Sequence, residues 1–362
     1  MRDTKPTPVT VLGAGYSGLT TAAELTLRGY RVNIRASSLG YQPPLTIVGT
    51  QSQRWPGSAT SNSTFDNDDL LDREIDTIQR LVALSSQSHL TGVSVVPALK
   101  VSRSEGNTWN RRPIADTARL RAATNMQRSL RMMATPKKVE EADIALFEAE
   151  GYKSVDETQV VKIETGKYFR YLIDLVTSGG GNIELGTNFT AEDIKDLQKA
   201  GHVVNCLGNA AGSIGGAKGE YYSNPGEVVI WKDCPQDFGF YVMDDDKDAG
   251  VMQMPDGSLH LSTAAAAGPD QTKTTILDCD GVCRALFGAA LSMESGGVGL
   301  EIWKTDRPMR KGGFNIGASK GPHGFVSVDN SGHGGAGVAA SWACAARAVD
   351  ALAGQLPGHG WW

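Results

Sequence analysis

The stretch that decides the fold is Val9-Thr10-Val11-Leu12-Gly13-Ala14-Gly15-Tyr16-Ser17-Gly18, near the start of the chain. Its first four residues are apolar or β-branched, which favours a strand, and a glycine turn follows directly. Residues 19–28 are compatible with a helix, Gly29 ends it, and residues 30–34 resume as a strand. The sequence therefore predicts a strand–turn–helix–strand unit of the usual ~30 residues.

Three glycines in this turn have the spacing of a phosphate-binding turn. Gly13 permits the tight bend, Gly15 lets a pyrophosphate approach the backbone, and Gly18 lets helix and strand pack closely. The anion would lie at the helix N-terminus. We therefore predict that the turn binds a dinucleotide, the alternative being a purely structural turn. The acidic residue typical of ribose binding is missing, and Arg35 could instead indicate the 2′-phosphate of NADP.

The composition is that of a globular protein and excludes several classes of function. The 362 residues correspond to roughly two domains of about 150 residues each. A net charge of −5, with scattered Lys and Arg, predicts that the chain does not bind nucleic acid. No apolar run approaches the ~18 residues of a membrane span. Five widely spaced cysteines without CxxC pairs favour a reducing, cytoplasmic setting and no metal site.

The middle of the chain predicts a second unit built of strands. Residues 226–231 and 258–262 have strand character with hairpin-like separators, so we expect a mostly antiparallel domain. Residues 93–97 predict a strand at a sheet edge, because the final proline cannot donate to a neighbour. Residues 102–138 are interpreted as a solvated excursion or lid, and residues 244–248 as a solvated acidic turn.

A second glycine-rich turn, Gly332-His333-Gly334-Gly335-Ala336-Gly337-Val338, precedes a helix near the other end of the chain. Two such turns indicate a cofactor long enough to be held at both ends, by its pyrophosphate and by its electron-accepting ring. A helix N-terminus directed at a flavin would stabilise the anionic reduced ring. FAD explains this arrangement better than NADP.

Four motifs in the same order resemble one family. They are residues 13–18, Val204-Asn205-Cys206-Leu207-Gly208, Arg307-Pro308-Met309-Arg310, and the turn at 333–337 followed by Trp342. Because of these four motifs, the chain resembles the FAD-dependent D-amino-acid oxidase and glycine oxidase superfamily over essentially its whole length.

The resemblance implies an α/β fold with a Rossmann-like FAD-binding domain and a mixed-sheet substrate domain. The FAD-binding domain would comprise residues 1–85, 135–212 and 310–362, and the substrate domain residues 86–134 and 213–309. The resemblance also implies that Arg307 binds the substrate carboxylate and that the Gly335 carbonyl accepts from the substrate amine. The alternative for Arg307 is a salt bridge with Asp306. His333 is expected to orient the ring rather than to act as an acid or base.

The predicted site residues form two groups. The cofactor-binding residues are Gly13, Ala14, Gly15, Tyr16, Ser17, Gly18, Arg35, Ser37, Ser38, Thr46, Phe189, Leu207, Gly208, His333, Gly334, Gly337, Val338 and Ala339. The substrate-binding residues are Met252, Met254 and Asp306. The resemblance implies two tyrosines that flank the substrate, and both are missing here. Met252 and Met254 occupy the segment where the family has one of them, and Asp248 or a neighbour falls roughly where the other would be. Tyr241 lies nearby in an uncertain register.

These observations predict an FAD-dependent oxidoreductase that oxidises the C–N bond of an amino acid or secondary amine. Hydride would pass to flavin N5, and O2 would reoxidise the flavin to give H2O2. Two alternatives stay open, an NAD(P)H-using flavoprotein and a flavin-binding subunit that has lost turnover. The expected partners are a small amine or amino-acid substrate and O2, without nucleic acid or membrane, and a homodimer is compatible with the sequence.

Overall fold

The computed structural model describes residues 8–40, 43–48, 67–104, 117–133, 140–188, 197, 201–214, 220–232, 239–254, 256–263, 271–287, 299–321 and 325–356. The strands are β1 (Pro8–Ala14), β2 (Arg31–Leu39), β3 (Leu45–Val48), β4 (Val93–Ser102), β5 (Ser154–Glu164), β6 (Asn182–Leu185), β7 (His202–Asn205), β8 (Tyr221–Trp231), β9 (Tyr241–Asp244), β10 (Ala249–Gln253), β11 (Leu259–Thr263), β12 (Leu300–Arg310), β13 (Asn315–Lys320) and β14 (Val326–Ser331). The helices are α1 (Tyr16–Leu27), α2 (Asn67–Ser85), α3 (Ser88–Thr91), α4 (Thr117–Met133), α5 (Glu141–Ala149), α6 (Thr165–Ser178), α7 (Ala211–Ile214), α8 (Gln271–Phe287) and α9 (Ser341–Ala353).

A six-stranded sheet contains the predicted nucleotide-binding unit. Its strand order is β13-β14-β7-β1-β2-β6, and every pair except β13 with β14 is parallel. Parallel strands buried on both faces read as apolar runs, as Val9 and Val11 of β1 do. The strand, turn, helix and second strand predicted near the start of the chain are all present, and the Rossmann-like prediction is confirmed.

The first glycine turn is packed too closely for larger residues at two positions. Gly13 has a φ of +101°, and a Cβ there would lie 2.6 Å from the carbonyl oxygen of Cys206. A Cβ on Gly18 would overlap the carbonyl oxygen of Gly13. These contacts hold the beginning of α1 directly against β1 and the end of β7.

The second sheet has eight strands in the order β12-β8-β11-β10-β9-β4-β5-β3. All neighbours are antiparallel except β4 with β9, which confirms the mostly antiparallel prediction. β4 as a whole lies between β5 and β9, but among the described residues 93–97 pair only with β5, so the edge position predicted for this segment is confirmed. Pro97 is accommodated, because it pairs only with Gln159, and the pairing with β9 begins at Ala98.

Two segments interpreted as solvated are partly buried. Tyr152 donates a hydrogen bond of 2.7 Å to Asp244, and Lys100 forms a 2.8 Å ion pair with Asp245. The acidic turn is therefore exposed only at residues 246–248, beyond Asp244 and Asp245. Within residues 102–138, helix α4 packs on the core through Met126 and Leu130. The described part of this segment is therefore not a solvated excursion.

The division into two domains stays a prediction. Residues 1–85 contribute β1 and β2 to the six-stranded sheet and β3 to the eight-stranded sheet, and residues 135–212 likewise contribute to both. Within the described ranges, no helix combines the length and the apolar character needed to cross a bilayer.

Candidate active site

One cavity of about 1130 Å³ is lined by both glycine-rich turns and by residues of both sheets. The first turn contributes residues 13–17, and the second contributes residues 333–338. Arg307 of β12 lines the same cavity. Three motifs that are far apart in the sequence therefore meet at one site.

Tyr16 links the first turn to β3. Its buried hydroxyl lies 3.1 Å from Thr46 Oγ1 and 3.1 Å from Thr165 Oγ1. Burial raises the pKa of Tyr16, and the bonds to Thr165 and Thr46 offset only part of this effect. The phenol therefore stays protonated and fixes Thr46 at the cavity wall.

A chain of hydrogen bonds connects the second turn to α1. His333 Nε2 lies 2.9 Å from Asn330 Oδ1, and Asn330 Nδ2 donates to Thr21 Oγ1 at 2.9 Å. Burial, with a smaller contribution from the charge of Arg73, lowers the pKa of His333 to about 4. The imidazole is therefore neutral and weakly basic near pH 7, and its bond to Asn330 fits the orienting role predicted for it.

Arg307 extends over a position where β8 has no side chain. A Cβ on Gly226 would lie 2.8 Å from Arg307 Nη2, so the glycine gives the guanidinium room against the sheet. Burial lowers the pKa of Arg307, and the negative charge of Asp248 opposes this shift. The desolvated guanidinium is well suited to bind an anion, because a charge-assisted bond strengthens in a less polar setting.

Asp306 also lines the cavity, but its carboxylate accepts hydrogen bonds from two neighbouring side chains. Ser223 Oγ and Asn209 Nδ2 both donate to its carboxylate. Among the ion pairs of the described residues there is none between Asp306 and Arg307, so Asp306 is not the salt-bridge partner of this arginine. Met309, two residues beyond Arg307, forms a β-bridge with His333 and connects this strand to the second turn.

Most of the predicted site residues line the cavity. They are Gly13, Ala14, Gly15, Tyr16, Ser17, Ser37, Ser38, Thr46, Leu207, Gly208, Asp306, Arg307, His333, Gly334, Gly335, Gly337 and Val338. Phe189 lies outside the described residues. The cofactor and substrate roles assigned to the residues that line the cavity stay predictions.

Five predicted site residues do not line the cavity. Gly18 packs against Gly13, and Arg35 forms a 2.8 Å ion pair with Glu184 on the neighbouring strand. Ala339 is buried in the core. The two methionines, Met252 and Met254, pack in a cluster with Leu45, Val96 and Tyr241.

Several residues that were not among the predicted site residues also line the cavity. They include Asn224, Tyr241, Asp248, His260, Ser262 and Thr305. Tyr241 leans across β10, where a Cβ on Gly250 would overlap its hydroxyl. An aromatic hydroxyl thus reaches the cavity from the strand next to the methionine segment. A glycine inside a strand is the sequence signal that could have indicated such a close approach.

Comparison with known proteins agrees with this architecture. No family model matches the chain. The chain is 25% identical over 353 residues, 95% of each chain, to a protein named D-amino-acid oxidase from Rubrobacter xylanophilus. Glycine oxidase from Geobacillus kaustophilus matches with a TM-score of 0.60 at 15% identity, covering 97% of this chain and 96% of that one. Iminodiacetate oxidase from Chelativorans sp. BNC1 matches with a TM-score of 0.61 at 13% identity, covering 97% of both chains. These comparisons confirm the resemblance to the FAD-dependent D-amino-acid oxidase and glycine oxidase superfamily, and the chain has the fold of that superfamily.

Proposed function

We propose that this chain is an FAD-dependent oxidoreductase that oxidises the C–N bond of an amino acid or a secondary amine. The observation that carries the proposal is the single cavity in which Arg307 meets both glycine turns. The relatives reported above are named as oxidases of amino acids or of an amino diacid. The fold and the site thus support the same class of reaction.

The first turn and the volume of the cavity fit FAD. A Cβ on Gly15 would meet no atom within 4 Å, so open space lies where a pyrophosphate would approach the backbone. The volume of about 1130 Å³ slightly exceeds the ~300–1,000 Å³ of ordinary small-molecule sites, as a dinucleotide with its substrate requires. Residues 13–17 with Ser37 and Ser38 would hold the nucleotide half, and residues 333–338 the ring. FAD held by these residues would supply a two-electron acceptor for the hydride of the carbon next to nitrogen, and O2 would take up the two electrons, with two protons, as H2O2.

The residues of the chain bind and orient the substrate. Arg307 binds the carboxylate through its planar fork, and its charge persists because a guanidinium does not lose its proton in proteins. The exposed Gly335 offers its carbonyl to the amine at the second turn. His333, held by Asn330, keeps that turn in place. Substrate is thereby fixed at two points beside the ring-binding turn.

The two alternative functions lack a supporting observation. The NAD(P)H-using flavoprotein was suggested by Arg35, but this side chain is paired with Glu184 outside the cavity. The flavin-binding subunit without turnover was suggested by the two missing tyrosines, but Tyr241 and Arg307 both line the cavity. We further propose that O2 is the electron acceptor, that the enzyme is cytoplasmic and that it forms a homodimer.

The proposed function is tested by the colour and cofactor of the purified protein. We expect a yellow protein that releases FAD rather than FMN on denaturation, because the first turn is built for a pyrophosphate. Chromatography of the released flavin identifies it, and anaerobic bleaching by a panel of amines and amino acids identifies the substrate class. A colourless protein that binds NADPH tightly would contradict the proposal.

Tyr241 provides a second prediction on substrate binding. Its hydroxyl lies at the cavity wall over Gly250, so Tyr241→Phe removes one polar contact without changing the shape of the site. We expect kcat/KM to fall about three- to tenfold, because one hydrogen bond contributes roughly 0.5–1.5 kcal/mol to binding. Steady-state peroxide release measures this effect. FAD content serves as the control and should not change, and a loss of FAD would place the hydroxyl at the cofactor instead.

A further inference from the structure

Arg73 of α2 is a buried arginine on the protein side of the second glycine turn. Only 7% of its surface is exposed, and it does not line the cavity. Its guanidinium pairs with Asp69 at 2.7 Å and donates a 3.3 Å hydrogen bond to Cys344 Sγ. It also lies 4.6 Å from the centre of the Phe314 ring. Arginine is rarely buried to this extent unless its charge is paired, so the balance of charge around it matters.

The pairing of Arg73 leaves a positive charge. Its partner Asp69 also forms a 2.6 Å ion pair with Arg347, so one carboxylate serves two guanidinium groups. Burial would raise the pKa of Asp69, but its bonds with the two arginines outweigh this effect and lower the pKa. The carboxylate is therefore ionised near pH 7, and the three groups together carry one net positive charge.

Three other acids of α2 are less well placed to offset this charge. Asp72 and Glu74 are the immediate neighbours of Arg73, so they project from the helix about 100° to either side of it. Asp76 is exposed, and water and salt screen its charge. The positive charge is thus concentrated at the buried arginine.

Phe314 connects this charge to the second turn. The centre of its ring lies 4.6 Å from the Arg73 guanidinium and 5.5 Å from the centre of the His333 imidazole. The guanidinium is therefore no more than about 10 Å from the turn that is proposed to hold the ring. Its charge reaches this turn, since it adds to the effect of burial in lowering the pKa of His333.

The same charge lies at the end of a helix where a cation is unfavourable. Cys344, which accepts the hydrogen bond from Arg73, belongs to the first turn of α9 (Ser341–Ala353). A helix N-terminus carries a partial positive charge, so anions and not cations stabilise it. Arg73 and the beginning of α9 thus both contribute positive potential beside the second turn, an arrangement that an anionic group at the turn would stabilise.

We propose that Arg73 raises the reduction potential of the bound flavin through its charge, without touching the cofactor or the substrate. This inference rests on the proposed function. Hydride addition to the neutral oxidised ring gives a reduced ring with one negative charge. A positive charge held behind the ring-binding turn lowers the free energy of that product relative to the oxidised ring, and so favours hydride transfer from the substrate.

The test measures the midpoint potential of the bound flavin in two variants that change the local charge in opposite directions. Arg73→Gln removes the positive charge and should lower the potential. At an effective dielectric constant of ~20, a unit charge about 10 Å away changes an equilibrium constant by roughly tenfold. We therefore expect reduction to become about three- to tenfold less favourable, a fall of roughly 15–30 mV for a two-electron couple. Asp69→Asn removes the compensating negative charge and should raise the potential, by less because Asp69 is partly exposed.

A second reporter and two controls accompany these variants. Sulfite adds to oxidised flavin and leaves the ring negatively charged, so its Kd should rise in Arg73→Gln and fall in Asp69→Asn. Arg73→Lys keeps the charge and should keep both values near those of wild type. Arg80→Gln is the matched control on the same helix, because Arg80 belongs to a cluster in which Glu24 and Asp350 balance two arginines. It should change neither value.

The direction of the shifts separates an electrostatic role from a structural one. Loss of packing would move Arg73→Gln and Asp69→Asn in the same direction, whereas a charge effect moves them in opposite directions. Shifts in the same direction would overturn the proposal, as would an unchanged potential in Arg73→Gln with normal FAD content. If Arg73→Gln does not fold, Asp69→Asn decides, since only the charge effect predicts a higher potential. Wild-type protein that binds no FAD would overturn the proposed function itself, so the two failures are distinguishable.

Discussion

Gly15→Val is expected to leave the protein folded and to abolish its retention of FAD. The backbone at Gly15 is extended, with φ −86° and ψ −170°, so a larger residue is tolerated there. An added Cβ meets no protein atom within 4 Å and projects into open space at the cavity wall. That space is where the pyrophosphate is proposed to lie. The Kd for FAD should rise about a hundredfold or more, equivalent to ~2.8 kcal/mol, by titration of the apoprotein.

Gly18→Val is the matched control for this substitution. Gly18 does not line the cavity, and its Cβ would overlap the carbonyl oxygen of Gly13. This variant should lose the fold itself, as measured by circular dichroism, whereas Gly15→Val should keep a wild-type spectrum. A yellow Gly15→Val protein with normal FAD content would refute the assignment of the pyrophosphate to this turn.

Arg307→Lys and Arg307→Ala are expected to impair catalysis while leaving the bound flavin intact. The guanidinium is half-buried and lines the cavity, so its loss leaves a substrate carboxylate without its charged partner. Truncating such a partner costs about 2–5 kcal/mol. At 1.36 kcal/mol per factor of ten, kcat/KM should fall about thirty-fold to several thousand-fold, mainly through a higher KM. Steady-state kinetics and the flavin absorption spectrum measure the two effects separately.

Arg310→Lys is the control within the same motif. Arg310 pairs with Glu220 at 2.7 Å and does not line the cavity. Its substitution should change kcat/KM by less than a few fold. Normal turnover by Arg307→Ala would show that Arg307 is structural and that the carboxylate binds elsewhere.

The nucleotide-binding half of the fold was predictable because its signals are local. A strand, a glycine turn, a helix and a second strand follow one another within about 30 residues, and each has its own sequence pattern. The glycines at 13 and 18 had to be glycine for packing, and the structure confirms both close approaches. The second turn was likewise predictable from its glycines ahead of a helix, whereas the role of Arg307 was inferred from the resemblance to a family.

The rest of the site depends on contacts between distant segments. Met252 has the position expected of a substrate contact, but β3 and β9 bring Leu45 and Tyr241 against it. Tyr241 reaches the cavity only because Gly250, over which its ring lies, has no side chain. Asp244 is buried because its partner Tyr152 lies 92 residues earlier in the chain. Strand order in the second sheet determines all three, and hydrophobic patterns do not specify that order.

The order in which the six-stranded sheet is assembled bears on how the protein matures during synthesis. β1 is made first, but its neighbour β7 comes from the middle of the chain, and β14 joins only near the end. Asn330 at the end of β14 bonds Thr21 of the first helix, so α1 gains this partner late. During synthesis the six-stranded sheet therefore stays incomplete until β14 has been made. An incomplete sheet leaves strand edges unpaired, which favours aggregation or chaperone binding during synthesis.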